Sequence, residues 1–197
     1  MRGHQRILKR GFDVMVAGIG LLLGWPVIVV TALLARRNTG ASGIFRQQRI
    51  GRHAKPFTVY KIRTMRAVDG TSVTTAGDAR ITALGAKLRR LKLDELPQLW
   101  NVLKGDMSFV GPRPDVAGFA DALSGDDRAV LELRPGITGP ATLKYRDEET
   151  ILAGQADPER YNRDVIWPDK VAINLSYLEN YRFLDDLALI WRTATGR

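Results

Sequence analysis

The chain has 197 residues, 45% of them apolar and 26% charged, which suits one compact domain with an appendage and excludes a disordered or collagen-like polymer. Thirty basic residues against 21 acidic ones leave a net charge of +9 and point to an anionic partner. With no cysteine and two histidines, His4 and His53, a disulfide scaffold, a thiolate zinc site, a cysteine nucleophile and a His-rich metal centre are excluded.

Residues 1–68 hold thirteen Lys or Arg and one acid, Asp13, so most of the charge excess lies in the first third. It flanks the longest apolar run, Val14–Ala35, which carries no charge. As a helix this run reaches about 33 Å, close to the hydrocarbon thickness of a bilayer. Two features argue against simple spanning. Pro26 removes the hydrogen bond to the Leu22 carbonyl and crowds it, and both flanks are basic although Lys and Arg mark the cytoplasmic side. A proline-broken re-entrant helical hairpin, entering and leaving on one face, answers both features; a kinked spanning helix stays open on the residues alone. Gly24 eases the bend, and Thr31 is placed to bond a freed carbonyl. Asp13 is expected to pair locally with Lys9 or Arg10.

Further along, Pro56–Ile62 alternates apolar and polar residues and predicts a short strand that brings Lys61, Arg63 and Arg66 together. Residues 67–79 are small and polar and predict a surface loop. Ile81, Leu84, Leu88 and Leu91 follow helical spacing, and a second helix through Leu96–Leu103 is expected to stop at Gly105. Residues 108–115 predict a rigid loop in which Pro112 and Pro114 bracket Arg113, 115–133 a helix, and 134–140 a stiff turn. Two helical patches follow, 169–182 and Phe183–Thr193, the latter with Leu184, Leu187, Ile190 and Trp191 on one side, as in an interfacial amphipathic helix.

The chemistry concentrates at Asp94 and Glu95. Adjacent acids at a helix start serve as caps. Here, however, Arg89 precedes them, Arg113 is clamped between prolines and Arg134 precedes Pro135, and stiffly held guanidiniums grip phosphate oxygens bidentately. Acids beside such a cluster suit a divalent ion on a diphosphate, since Mg²⁺ takes one or two carboxylates plus substrate oxygens. A second carboxylate is then free to attack phosphorus.

The segments KRGFD (9–13), FRQQRIG (45–51), YKIRTM (60–65), LDELPQLWNVLKGDMSFVGPRP (93–114) and RPGITGP (134–140) closely resemble the bacterial sugar transferases, the monotopic phosphoglycosyl transferases. The resemblance runs from Lys9 to about Thr193 and looks like the small form of the family. It implies a mainly α fold with a short β element (α+β). A re-entrant membrane hairpin over 1–37, broken at Pro26, would carry a cytoplasmic catalytic domain over 38–197, lying on the inner membrane.

The resemblance further implies that Asp94 is the nucleophile and that Asp94 and Glu95 hold Mg²⁺. Lys61, Arg63, Arg89, Arg113 and Arg134 would contact phosphate and nucleotide. The reaction implied moves a sugar-1-phosphate from a UDP-sugar to polyprenyl (undecaprenyl) phosphate and releases UMP. The sequence departs from the usual pattern at PATLKYRDEE (140–149) and at Asn174, where many relatives carry Asp. The acids Asp147, Glu148 and Glu149 are expected to be a solvated run. Expected partners are the UDP-sugar, the polyprenyl phosphate and membrane phospholipids, with a homodimer open and no nucleic acid, because the basic stretch lacks interleaved aromatics for base stacking. Two rivals stand beside this reading. One is a basic membrane-anchored polyanion-binding protein without catalysis, and the other has the lipid phosphate attack the donor directly, leaving Asp94 only a metal ligand.

Overall fold

The computed structural model describes residues 1–66 and 78–196. Most of the expected loop over 67–79 therefore lies outside the described residues. The chain starts with one long helix, α1 (Gly3–Thr39), followed by an antiparallel ribbon of β1 (Ile44–Ile50) and β2 (Pro56–Ile62). Ile44 pairs with Ile62 and Ile50 with Pro56, so β2 occupies the residues its alternation indicates. Helices α2 (Ala83–Arg90) and α3 (Gln98–Lys104) come next, with a 3₁₀ turn, Leu93–Glu95, between them. A small parallel pair, β3 (Ser108–Val110) with β4 (Gly136–Thr138), follows. The C-terminal part consists of α4 (Pro140–Lys144), α5 (Glu148–Ala153), α6 (Pro158–Tyr161), α7 (Trp167–Glu179) and α8 (Phe183–Thr195). The fold is thus mainly helical with two short sheets.

Helix α1 differs from the expected pair of helices: it is helical without interruption through Pro26. A proline deletes one hydrogen bond and strains its own turn, but it does not remove the bonds on either side. The turn after Pro26 is reinforced by the Thr31 hydroxyl, which donates toward the carbonyls of Val27 and Ile28 at 2.6 and 3.2 Å. Both arms flanking Pro26 dock on the same globular body. In the first arm Ala17 packs with Val59, Val102 and Met107, and Arg10 donates to the Val102 and Leu103 carbonyls. In the second arm Ile28, Ala32 and Ala35 pack with Ile62 and Leu88. The remainder of the apolar run faces outward, Leu22 and Leu23 being more than 70% exposed. In its most apolar stretch only 11% of the residues are buried, so the helix is no ordinary core helix.

Asp13 forms no local ion pair among the described residues. It accepts from the Ser108 hydroxyl and the Phe109 N–H, both at 3.1 Å, and so ties α1 to β3. Lys9 reaches the other way, donating to Asp186 of α8 at 2.6 Å. Helical spacing permits the local pairs, but the buried partners in the folded state satisfy these groups better than a half-solvated neighbour would.

Two loop expectations and one helix are also revised. Ser108–Val110 and Gly136–Thr138 are strands, each only three residues long. The expected helix over 115–133 is instead two 3₁₀ segments, Ala120–Ala122 and Gly125–Glu132, with Gly118 and Gly125 at positive φ turning the chain out of the α region. Gly105 ends α3 in a left-handed conformation, as expected.

Candidate active site

Asn101 fixes the ground plan. It is fully buried on α3, accepts from the Tyr60 N–H and donates to the Thr58 carbonyl, which locks α3 against β2. That lock sets Lys61, the next residue on β2, beside the turn that precedes α3. The chain enters this turn through Lys92 in the left-handed region (φ 56°), and Pro97 caps α3. Asp94 and Glu95 therefore lie in the Leu93–Glu95 turn rather than in the first turn of the helix, and neither carboxylate acts as a cap. Helix α2 is capped by the Thr82 hydroxyl, which accepts from the Gly85 N–H at 2.9 Å. It carries Arg89 to the same place, where the guanidinium donates to the Thr64 hydroxyl at 3.0 Å.

Lys61, Thr64, Arg89, Lys92, Asp94 and Glu95 line one cavity of about 920 Å³. Asp94 is only 8% exposed, and its Oδ1 has no hydrogen-bond partner among the described residues. Desolvation, then the Glu95 charge, push its carboxyl above the usual carboxylate range, against Lys61, Arg89 and Lys92. Glu95 is held by Lys61 at 3.2 Å. Its burial would raise its pKa, but Lys61, Arg113 and Lys92 outweigh that and leave it lowered. Desolvation lowers Lys61 in turn, with Glu95 opposing. The outcome is one carboxylate committed to a cation and a neighbour with a lone pair unspent.

The other residues singled out by the sequence divide. Arg63 and Arg113 line the cavity. Arg63 also donates to the Ser42 carbonyl and lies over the Phe45 ring. Among the described residues Arg113 makes no hydrogen bond or ion pair, so its fork is open to a ligand. Arg134 does not line the cavity; it donates to the Gly105 carbonyl at 2.8 Å and faces a separate cleft against α1. In the acidic run Asp147 and Glu149 are exposed, as a solvated stretch should be, whereas Glu148 is half-buried and accepts from Lys170 at both oxygens at 2.7 Å. All three border the cavity, and Glu149 stands 3.9 Å from Arg89.

Sequence reasoning missed part of the cavity wall: Lys170, Thr142 and the half-buried Asp115, which desolvation pushes up to about 6 against Lys170, Arg113 and Arg49. Thr142 Oγ1 and Asn174 Oδ1 are buried without partners among the described residues, and Thr142, Asn174 and Asp94 all line this one cavity. Their signal in the sequence is faint, since single polar residues on short helices look like ordinary surface. Asn174 alone was legible, as a departure from the family pattern.

No group of three or more metal-ligating side chains occurs among the described residues. The two adjacent carboxylates with one unpartnered buried oxygen nevertheless fit Mg²⁺, which fills its remaining positions with substrate oxygens and water.

A bacterial sugar transferase family model matches residues 4–196. The chain is 35% identical over 188 residues to the uncharacterized sugar transferase EpsL of Bacillus subtilis, covering 95% of this chain and 85% of that protein. It is 32% identical to a UDP-N-acetylgalactosamine-undecaprenyl-phosphate N-acetylgalactosaminephosphotransferase of Aeromonas hydrophila, covering 94% of this chain but 42% of that one. It is 35% identical to a UDP-glucose:undecaprenyl-phosphate glucose-1-phosphate transferase of Caulobacter vibrioides, covering 94% of this chain and 67% of that one.

Proposed function

The chain belongs to the bacterial sugar transferase family, and from that premise we propose that it moves a sugar-1-phosphate from a UDP-sugar to undecaprenyl phosphate through a covalent phosphosugar on Asp94. Membership in a family of phosphoglycosyl transferases also sets aside the non-catalytic polyanion-binding reading. The observation that carries the mechanism is the Asp94 carboxylate: buried, with one oxygen free of hydrogen bonds among the described residues, at the wall of a cavity that Lys61, Arg89, Lys92 and Arg113 also line.

Asp94 Oδ1 attacks the sugar-bearing phosphorus, the bond from that phosphorus to the bridging oxygen breaks, and UMP departs with the electron pair. An oxygen of the lipid phosphate then attacks the same phosphorus, the bond to the Asp94 oxygen breaks, and the carboxylate returns. No net proton transfer is required. Arg113 and Arg89 offer guanidinium donors to the diphosphate oxygens, and Lys61 keeps Glu95 ionised beside them. Asp94 and Glu95 would hold Mg²⁺, which when bound neutralises charge on the departing phosphate. The direct-attack alternative would leave the unpartnered Asp94 oxygen with no role beyond metal binding.

The membrane reading has separate support. A helix spanning with its ends on opposite sides could touch a globular domain with only one end, yet both arms of α1 dock on one body. The outward apolar belt of α1 and the exposed Leu184, Leu187 and Trp191 of α8 suit a protein resting on the cytoplasmic leaflet, where a soluble donor meets a lipid phosphate. The test is UMP release from UDP-sugars with undecaprenyl phosphate and Mg²⁺ present. Wild type should release UMP with at least one donor and Asp94→Asn none; unchanged turnover in the variant overturns the assignment.

A further inference from the structure

Arg134, displaced from the catalytic cavity, belongs to a second cleft of about 630 Å³ between the N-terminal arm of α1 and the β3–β4 layer. Of its four guanidiniums, three are held by backbone carbonyls rather than by a carboxylate. Arg10 donates to Val102 and Leu103 at 2.6 and 2.8 Å, Arg52 to Glu132 at 2.8 Å and Arg134 to Gly105 at 2.8 Å. A guanidinium has five donors, so these bonds leave most N–H groups of the three unspent. None of the three is in an ion pair among the described residues. The other cations of the cleft are committed, Lys9 to Asp186 and Arg6 to Glu132. Asp13 is the one acid left to balance three arginines, and both of its protein bonds run to β3.

Like charges converge here. Arg134 is lowered by desolvation first and then by Arg10 and Arg52. A Cβ at Gly105 would come within 3.2 Å of Arg10, so Arg10 and Arg134 meet at one residue. Holding cations together, partly dehydrated, is costly without an anion. The cleft also has an apolar side: Ile7, Val14 and Met15 of α1 line it and are 76%, 39% and 58% exposed. Guanidiniums along a groove floored by apolar side chains match a phosphate attached to a hydrocarbon chain, not a free ion.

We propose that this cleft binds the phosphate of an anionic membrane lipid, with its chain along Ile7, Val14 and Met15, at a site distinct from the Asp94 cavity. The inference rests on the membrane placement of α1 but not on the transferase chemistry. Occupancy would hold the α1 arm and the β3–β4 layer together from the leaflet side.

The test uses the full chain in neutral detergent without nucleotide-sugar. It is offered phosphatidylglycerol, undecaprenyl phosphate, phosphatidylcholine or inorganic phosphate, and bound ligand is counted by native mass spectrometry. Wild type should retain either lipid phosphate over phosphatidylcholine, and inorganic phosphate at the same concentration should not displace it. Arg52→Gln with Arg134→Gln should cut retention about tenfold or more, the value of one charge-assisted hydrogen bond. Glu132→Gln, which frees Arg6, should raise retention, a gain that misfolding could not produce. Retention unchanged in both variants, or displacement by inorganic phosphate, overturns the proposal. Asp94→Asn should retain phosphatidylglycerol, which is no acceptor at the Asp94 cavity, as wild type does even when UMP release is lost, so failure of either idea is seen separately.

Discussion

Asp186→Ala should be the most damaging substitution outside the cavity. Asp186 is 2% exposed and accepts from the Lys9 ammonium at 2.6 Å, the Tyr177 hydroxyl at 2.5 Å and the Tyr181 hydroxyl at 3.1 Å. Burial and the Asp186 charge together raise both tyrosines, so both hydroxyls remain protonated donors. Removing the carboxylate strands a buried ammonium and two hydroxyls. Breaking a buried pair by deleting one partner costs about 3–5 kcal/mol, or roughly 6–20 °C in Tm for a chain of this size. Lys9→Met with Asp186→Leu removes both charges together and leaves the two hydroxyls, so its loss should be about 1–3 kcal/mol. Denaturation of wild type, Lys9→Met, Asp186→Leu and the double variant in detergent gives the coupling directly. An Asp186→Ala loss below about 1 kcal/mol, or a double variant no better than that single one, would refute the claim that this carboxylate fastens α1 to α7 and α8.

Two further outcomes follow from the charges of the cavity. Asp115 is pushed up to about 6 from an ordinary 3.8, so the folded state binds its proton more tightly than the unfolded state. Its contribution is therefore favourable below about pH 4 and lost as pH rises toward 6. Asp115→Asn should accordingly be more stable than wild type above pH 6 by up to about 3 kcal/mol, with the gap closing on acidification; denaturation at pH 5 and pH 8 checks the sign. Lys61→Met removes the main cation lowering Glu95 and leaves only Arg113 and Lys92 to oppose desolvation at that carboxyl. The acid limb of the UMP-release profile should move to higher pH, with a deeper loss of rate at pH 6 than at pH 8, and an unshifted limb would dissociate Glu95 from the chemistry.

The parts of this protein legible in its sequence are those governed by local pattern. Alternation placed β2, helical spacing placed α2, α7 and α8, and Gly105 marked the end of α3. Contacts between distant segments were not legible. The β3–β4 pair joins residues about thirty apart through three-residue strands, too short to show a period. Asp13 and Lys9 have plausible partners one helical turn away, yet in the fold they bond β3 and α8. Asp94 and Glu95 were singled out by the arginines around them and by the resemblance, whereas their setting in a 3₁₀ turn entered through a left-handed Lys92 was not legible. Arg134 shows the limit most plainly: a proline beside an arginine stiffens it, but only the tertiary fold decides which cavity it faces.

The covalent intermediate is tested most directly by mass spectrometry of the protein incubated with a UDP-sugar and Mg²⁺ but no lipid phosphate. The double displacement predicts a sugar-phosphate mass on the peptide containing Asp94, lost when undecaprenyl phosphate is added. Active enzyme that yields no such adduct, or an adduct on another residue, would contradict it.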